Sequence, residues 1–215
     1  MTNLRFITVL IASILFLSCG QNSSGDNSYT PRGKNDDTFN NLSVNTVKTD
    51  RWNFKKYLND PETPQLAKDI FNNKWKFEDD EPLEFLQKLH GQDKEGRSFY
   101  FRVVTNSYKQ ADGAYSEGLG NAGYEYVMNY PNEFSNYFVG QEAFTDNDLQ
   151  TWADIVMLEF KLISENEYDK PLVKIYLDTV RKNCKDCSVQ QKRGIEKFSH
   201  HLNERWGEFL QHIDR

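Results

Sequence analysis

Apolar residues recur at helical spacing along the second half of the chain. The clearest stripe follows Ser188 and Gln191, whose hydroxyl and amide have the spacing of a capping box at a helix N-terminus. The apolar positions behind this cap are separated by 3, 4, 4, 3 and 4 residues: Ile195, Phe198, Leu202, Trp206, Phe209 and Ile213. This pattern predicts one long amphipathic helix over residues 188–213.

Three more stripes predict helices upstream of this one. The first begins at residues 145–148, which resemble a helix cap, and continues through Leu149, Trp152, Val156, Phe160 and Ile163. The second begins at Pro171, because the first turn of a helix accepts proline. The third covers residues 115–130 and stops before Pro131. Shorter helices are predicted over residues 64–75 and 82–90.

Residues 97–104 carry two competing signals. They are rich in aromatic and β-branched side chains, which favours a strand. No other segment offers an obvious strand partner, and a lone strand leaves its backbone groups unpaired. We therefore predict a buried helix there. The expected fold class is all-α, with about seven or eight helices over residues 51–215 in one domain, either an irregular bundle or a short solenoid-like array.

The apolar run nearest the N-terminus has a different character. Residues 6–17 are apolar except for Thr8 and Ser13, and they lie between the basic side chain of Arg5 and a cysteine at position 19. A basic start, a short apolar run and small residues at the exit are typical of a secretory signal peptide. These 12 residues are too few to span a bilayer, which takes about 20.

The cysteine that follows this run resembles the lipobox of bacterial lipoproteins. Phe16 and Leu17 differ from the leucine and the small residue that are usual at their positions in that motif. The resemblance implies removal of residues 1–18 and attachment of acyl chains such as palmitate to Cys19. It also implies an extracytoplasmic, membrane-anchored location. Gly20 is not the aspartate that retains many Gram-negative lipoproteins in the inner membrane, so in such an organism the implied site is the outer membrane, at its periplasmic or surface face.

The polar composition of residues 19–50 and the net charge of the chain add to this interpretation. Residues 19–50 are mostly polar, and such a segment buries too little apolar surface to offset its ordering entropy, so we predict a flexible, lipidated tether. The net charge of −6 becomes −7 once residues 1–18, which contain Arg5, are removed. A domain this acidic repels phosphate backbones, so nucleic acid is not an expected partner. The membrane contact is expected to come from lipid.

Residues 118–123 match the pattern G-x-G-x-x-G. A dinucleotide site requires a strand directly before the first glycine, whereas these glycines fall inside a helical stripe, so neither a nucleotide nor another cofactor is expected. Gly120 and Gly123 lie three residues apart, which favours the close approach of a second helix. An alternative is a binding site on this helix, formed by the candidate residues Tyr115, Glu117, Gly120, Gly123 and Tyr126.

The remaining candidate chemistry lies near the C-terminus. Cys184 and Cys187 directly precede the last predicted helix, and in an oxidising compartment a structural disulfide is expected. Free thiols, or a redox or metal role, are the alternatives. The pairs His201/Glu204 and Glu208/His212 have a spacing that can chelate a metal ion. Alternating charge at this spacing is more typical of a solvated helix face, so no metal is predicted.

Aromatic residues make up 14% of the chain, with 11 Tyr and 4 Trp, and these two residue types anchor many interfaces. No G-x-S-x-G or H-E-x-x-H motif occurs in the sequence. The leading hypothesis is therefore a non-enzymatic module that binds a protein partner, for example an immunity or inhibitor protein against an envelope-targeting toxin or hydrolase. One alternative is a small-ligand-binding protein or an enzyme, with its site near the helix of residues 118–123. Another is a structural lipoprotein of an envelope complex.

Overall fold

The computed structural model describes residues 52–75, 84–140, 143–163 and 171–213. The predicted signal peptide and tether, residues 1–50, lie outside these ranges. Every regular element in the described ranges is helical, which confirms the all-α fold class. Nine α-helices are described there: α1 (Phe54–Asn59), α2 (Gln65–Phe71), α3 (Glu84–Lys88), α4 (Lys94–Ser107), α5 (Gly113–Asn129), α6 (Pro131–Tyr137), α7 (Asp146–Ile163), α8 (Leu172–Asn183) and α9 (Val189–Ile213). A short 3₁₀ helix, Tyr108–Gln110, joins α4 to α5.

The three longest stripes form one packed group. Helix α7 lies between α5 and α9, and these two pairs make the most extensive helix contacts of the described domain. The stripe of α9 is buried at Ile195, Phe198 and Leu202 and half-buried at Trp206 and Phe209. Helix α8 contacts both α5 and α9. Burial of these apolar stripes supplies the main driving force for this arrangement.

Helix α4 confirms the prediction of a buried helix over residues 97–104. Its side chains at Phe99, Phe101, Val103 and Val104 are fully buried, and α1, α2 and α3 pack against it. The ring of Phe101 stacks on that of Trp152 in α7, with centroids 4.2 Å apart. The helix is buried around most of its circumference, since ten of its 14 residues are buried.

The predicted caps of the two longest helices are present. At α9, the Ser188 N–H donates to Gln191 Oε1 at 2.8 Å, and the Gln191 N–H donates to Ser188 Oγ at 3.2 Å. At α7, the Thr145 N–H donates to Asp148 Oδ2 at 2.7 Å. Helices α1 and α6 were not predicted from the sequence. Pro131 does end α5, but it also occupies the first turn of α6, a position that suits proline because no intrahelical N–H bond is lost there.

The Sγ atoms of Cys184 and Cys187 lie 2.00 Å apart, which confirms the expected disulfide. The bond closes the short turn between α8 and α9. Among the described residues, none of the helices has both the length and the apolar character that a membrane span requires.

Candidate functional site

The two predicted glycines of α5 face α7. A Cβ added to Gly120 would lie 2.8 Å from the Glu159 backbone nitrogen and 2.8 Å from the Leu158 Cβ. A Cβ added to Gly123 would collide with Ile155 Cγ2. Both glycines are therefore accounted for by the close approach of α7, which is the interpretation that their spacing favoured.

The structure does not gather the other three candidate residues of α5 around these glycines. Tyr115 is buried at the start of the helix, where its hydroxyl donates to Ser107 Oγ at 2.8 Å. Glu117 is exposed. Tyr126 is buried further along α5, where its hydroxyl belongs to a charged cluster. The five residues thus lie in four separate environments, and of them only Tyr126 joins a cluster of ionisable groups.

That cluster is centred on a partly buried ion pair between α4 and α6. Arg97, whose side chain is 5% exposed, donates from Nη2 to Glu133 Oε2 at 2.7 Å and from Nη1 to the Gly91 carbonyl at 3.2 Å. The hydroxyls of Tyr126 and Tyr137 each donate to Glu133 Oε1 at 3.1 Å. Both oxygens of the carboxylate are therefore bonded, which offsets the cost of removing it from water.

The two tyrosines are held in their protonated form. Burial is the main cause that raises the pKa of Tyr126 and of Tyr137, and the negative charge of Glu133 raises both further. A protonated hydroxyl can donate to the carboxylate, whereas a phenolate would repel it. Arg97 and the two tyrosines therefore all act as hydrogen-bond donors to the Glu133 carboxylate.

A pocket of about 440 Å³ opens beside this ion pair, and we call it the Arg97 pocket. Its lining includes His90, Lys94, Arg97, Tyr130 and Glu133, together with the polar residues Gln92, Asn129, Asn132 and Asn183. The Arg97 guanidinium carbon lies 4.8 Å from the centre of the Tyr130 ring, a cation–π distance. Two buried atoms, Arg97 Nε and His90 Nε2, have no hydrogen-bond partner within the described parts of the chain.

The sequence patterns do not mark His90, Arg97 or Glu133 as functional. One signal was present: Arg97 is a charged residue at the start of residues 97–104, the segment expected to be a buried helix. A charge inside such a segment requires a partner. The partner itself, Glu133, lies 36 residues away along the chain, and no local pattern identifies it.

A second feature lies where α8 meets α9. Five exposed basic residues line two adjoining depressions of about 410 and 650 Å³, and we call this surface the basic strip: Arg181, Lys185, Lys192, Arg193 and Lys197. Arg181 is paired with Glu196 through two contacts of 2.9 Å, and Lys197 approaches Asp146 at 3.5 Å. Lys185, Lys192 and Arg193 form no ion pair among the described residues. Val189, 69% exposed, adds an apolar side chain to the strip.

The aromatic content does not support an interface. None of the described Tyr or Trp side chains falls in the exposed class, and most lie in the core. Their abundance is therefore explained by packing, as in the stacked pair of Phe101 and Trp152. The expectation that Tyr and Trp anchor a partner finds no support in these residues.

The candidate metal ligands of α9 form ordinary polar contacts. His201 Nδ1 lies 3.5 Å from Glu204, and His201 Nε2 lies 3.7 Å from Asp146 of α7. His212 Nδ1 contacts the Glu208 backbone carbonyl at 2.7 Å. Within the described ranges, no three or more His, Cys, Asp or Glu side chains converge as metal ligands do.

Comparisons of the chain with protein-family models, with curated proteins and with solved structures found no match.

Proposed function

We propose that this chain is a lipid-anchored, extracytoplasmic binding protein that recognises an acidic surface on a protein partner and performs no catalysis of its own. The anchor is the diacylglyceryl-modified Cys19 that the lipobox-like segment implies. An immunity or inhibitor protein of the cell envelope is one concrete form of this function.

The observation that carries the proposal is the basic strip. Residues 181–200 contain six Lys and Arg against two Asp and Glu, whereas the whole chain has a net charge of −6. A local excess of one sign on a protein of the opposite sign attracts a complementary surface and orients it as it approaches. Within the described ranges Lys185, Lys192 and Arg193 form no ion pair, so a partner's carboxylates can bind them without breaking an ion pair there.

The distribution of charge on and around the strip favours a protein partner over nucleic acid. The acidic remainder of the domain repels a long phosphate backbone, which extends well beyond a strip of this size. A folded partner presents its carboxylates over a limited area, so it meets the strip and avoids the acidic surface around it. The apolar side chain of Val189 adds contact area for such a partner.

The anchor is tested by mass spectrometry of the N-terminal peptide from protein isolated from native membranes. We expect Cys19 as the first residue, carrying a diacylglyceryl group. An intact Met1, or an unmodified thiol at Cys19, would contradict the lipid anchor but leave the strip untested, so the two parts of the proposal fail separately.

The strip is tested by reversing its unpaired charges, with Lys185→Glu, Lys192→Glu and Arg193→Glu combined. A matched control reverses three exposed lysines elsewhere on the domain, with Lys55→Glu, Lys74→Glu and Lys109→Glu combined. Both variants change the net charge equally. We expect partner capture from envelope extract to fall about tenfold or more for the strip variant only, and to weaken with added salt. Equal loss in both variants, or no loss in either, would reject the strip as the binding surface.

A further inference from the structure

Another pocket adjoins the basic strip, where the end of α6, the start of α7 and the first turns of α9 meet. Its volume is about 450 Å³, and we call it the Phe138 pocket. Arg193 and Lys197 line both this pocket and one depression of the basic strip. A partner that covers the strip therefore also reaches the Phe138 pocket.

The Phe138 pocket offers accessible apolar surface. Phe138 and Val139 are half-buried, whereas Phe144 and Leu149, which also line the pocket, are buried. The ring of Phe138 packs against the rings of Phe134 and Phe144, with centroids 5.3 and 6.1 Å apart. These contacts hold the Phe138 side chain in place before anything binds, so little of its rotamer entropy is lost on binding.

The charges at the pocket favour an anionic occupant. Lys197 Nζ lies 3.5 Å from Asp146 Oδ1, so these two charges offset one another. Arg193 is exposed and forms no ion pair among the described residues. Its positive charge is therefore left over, and it lies next to the further basic residues of the strip.

The size of the pocket indicates what the apolar part of the occupant is. An apolar cavity of about 150 Å³ holds benzene, so a pocket of about 450 Å³ has room for an aromatic side chain. Aromatic residues seated in pockets and surrounded by polar contacts supply much of the binding energy of protein interfaces.

We propose that the partner of the basic strip inserts one aromatic side chain into the Phe138 pocket, and that carboxylates on either side of this side chain contact Arg193 and Lys197. This inference rests on the proposed function, because the aromatic side chain belongs to the same partner. It narrows the partner to a protein whose acidic surface carries a projecting aromatic residue.

Two synthetic peptides test the aromatic anchor. One is an acetylated and amidated pentapeptide with a phenylalanine between two pairs of glutamates, and the other has alanine in place of the phenylalanine. Each is titrated into the isotope-labelled full chain, and amide chemical shifts report where it binds. We expect saturable shifts around Val139, Gly140 and Gly194 with the phenylalanine peptide. The alanine peptide should bind about tenfold more weakly or worse, because the ring supplies most of the buried apolar area.

Equal affinity of the two peptides would overturn the aromatic anchor and leave the basic strip as the binding surface. No saturation by either peptide at about 10 mM, a concentration that detects millimolar affinity, would also overturn the anchor. The strip itself is judged by charge reversal and capture from envelope extract, so failure of the anchor is distinguishable from failure of the proposed function.

Two variants locate the contacts. Val139→Asn removes apolar surface without changing the charge, and should bring the phenylalanine peptide close to the affinity of the alanine peptide. Ile175→Asn is the matched control, since Ile175 is an apolar residue of α8 that is 57% exposed and lies outside the pocket. A preference for phenylalanine that survives Val139→Asn would contradict the pocket as its site.

Arg193→Gln alters only an exposed side chain, so this variant does not depend on how well the Val139 variant folds. It should weaken both peptides several-fold, because both carry the carboxylates. Lys109→Gln, at an exposed site outside the pocket, should weaken neither. Unchanged affinity of both peptides for the Arg193 variant would contradict the charged contact.

Discussion

At the scale of single residues, Gly120 is a position where α5 and α7 approach closely. Its missing side chain admits the backbone of Glu159 and the Cβ of Leu158 in α7. The neighbour is therefore partly backbone, which cannot rotate away as the end of a flexible side chain can. The contact fixes the separation of α5 and α7 and thereby the packing of the aromatic core around Trp152.

Gly120→Ala should destabilise the domain by about 1–3 kcal/mol, because the added methyl group overpacks the α5–α7 contact. Gly207→Ala is the matched control, since a Cβ at this position of α9 meets nothing within 4 Å. That substitution should stabilise the protein by about 0.5–1 kcal/mol through helix propensity. Urea unfolding of both variants measures the difference, and similar effects of the two substitutions would refute the tight contact.

The ion pair of Arg97 and Glu133 makes a second prediction at this scale. Arg97→Met leaves the Glu133 carboxylate with two tyrosine donors and no counter-charge, so it should cost roughly 3 kcal/mol. The cost stays at the lower end of the range for buried pairs because the Glu133 side chain is 24% exposed. A double-mutant cycle with Glu133→Gln isolates the coupling in unfolding experiments. Additive effects of the two substitutions would show that the pair is not coupled.

At the scale of elements, the caps decide where the long helices begin. Ser188→Ala removes the side-chain acceptor for the Gln191 N–H and should destabilise the domain by about 1 kcal/mol. Ser188→Asp supplies another acceptor at the same position and should retain most of the stability. Thermal unfolding followed by circular dichroism compares the two variants. Equal destabilisation by alanine and aspartate would mean that the cap does not stabilise α9.

The sequence allowed α5, α7, α8 and α9 to be predicted, because an amphipathic stripe and a cap act locally and leave a direct pattern. It left α4 ambiguous, because the aromatic and β-branched residues within 97–104 favour a strand as well as a buried helix. Helices α1 and α6 have six and seven residues, too few for a stripe to repeat. The Arg97 pocket was not predictable in the same way, because His90, Arg97 and Glu133 come from different segments and meet only through tertiary packing.

At the scale of the whole molecule, buried tyrosines couple stability to alkaline pH. Burial raises the pKa of Tyr126, Tyr137 and Tyr176 above the ordinary value. The unfolded chain loses these protons near pH 10, whereas the folded chain retains them to higher pH. The unfolded state therefore binds fewer protons above pH 10, and stability falls as the pH rises.

We expect the free energy of unfolding to decline progressively above about pH 10, and phenolate absorbance to appear together with the loss of helical signal. Tyr176→Phe should reduce the steepness of that decline, since it removes one of the buried hydroxyls, although it also removes the bond to the Tyr124 carbonyl. Stability that stays constant from neutral pH to well above pH 10 would contradict the assigned burial of these groups.

The proposed function also belongs to the whole molecule, because it joins a membrane anchor at one end of the chain to a charged surface on the folded domain. Its most direct test is photo-crosslinking in intact cells, with a photoreactive amino acid replacing Lys192 in the basic strip or, as a control, Lys109 outside it. The account predicts a discrete adduct from position 192 in the membrane fraction, lost when Lys185→Glu and Arg193→Glu are added. No adduct from position 192, or the same adduct from position 109, would contradict it.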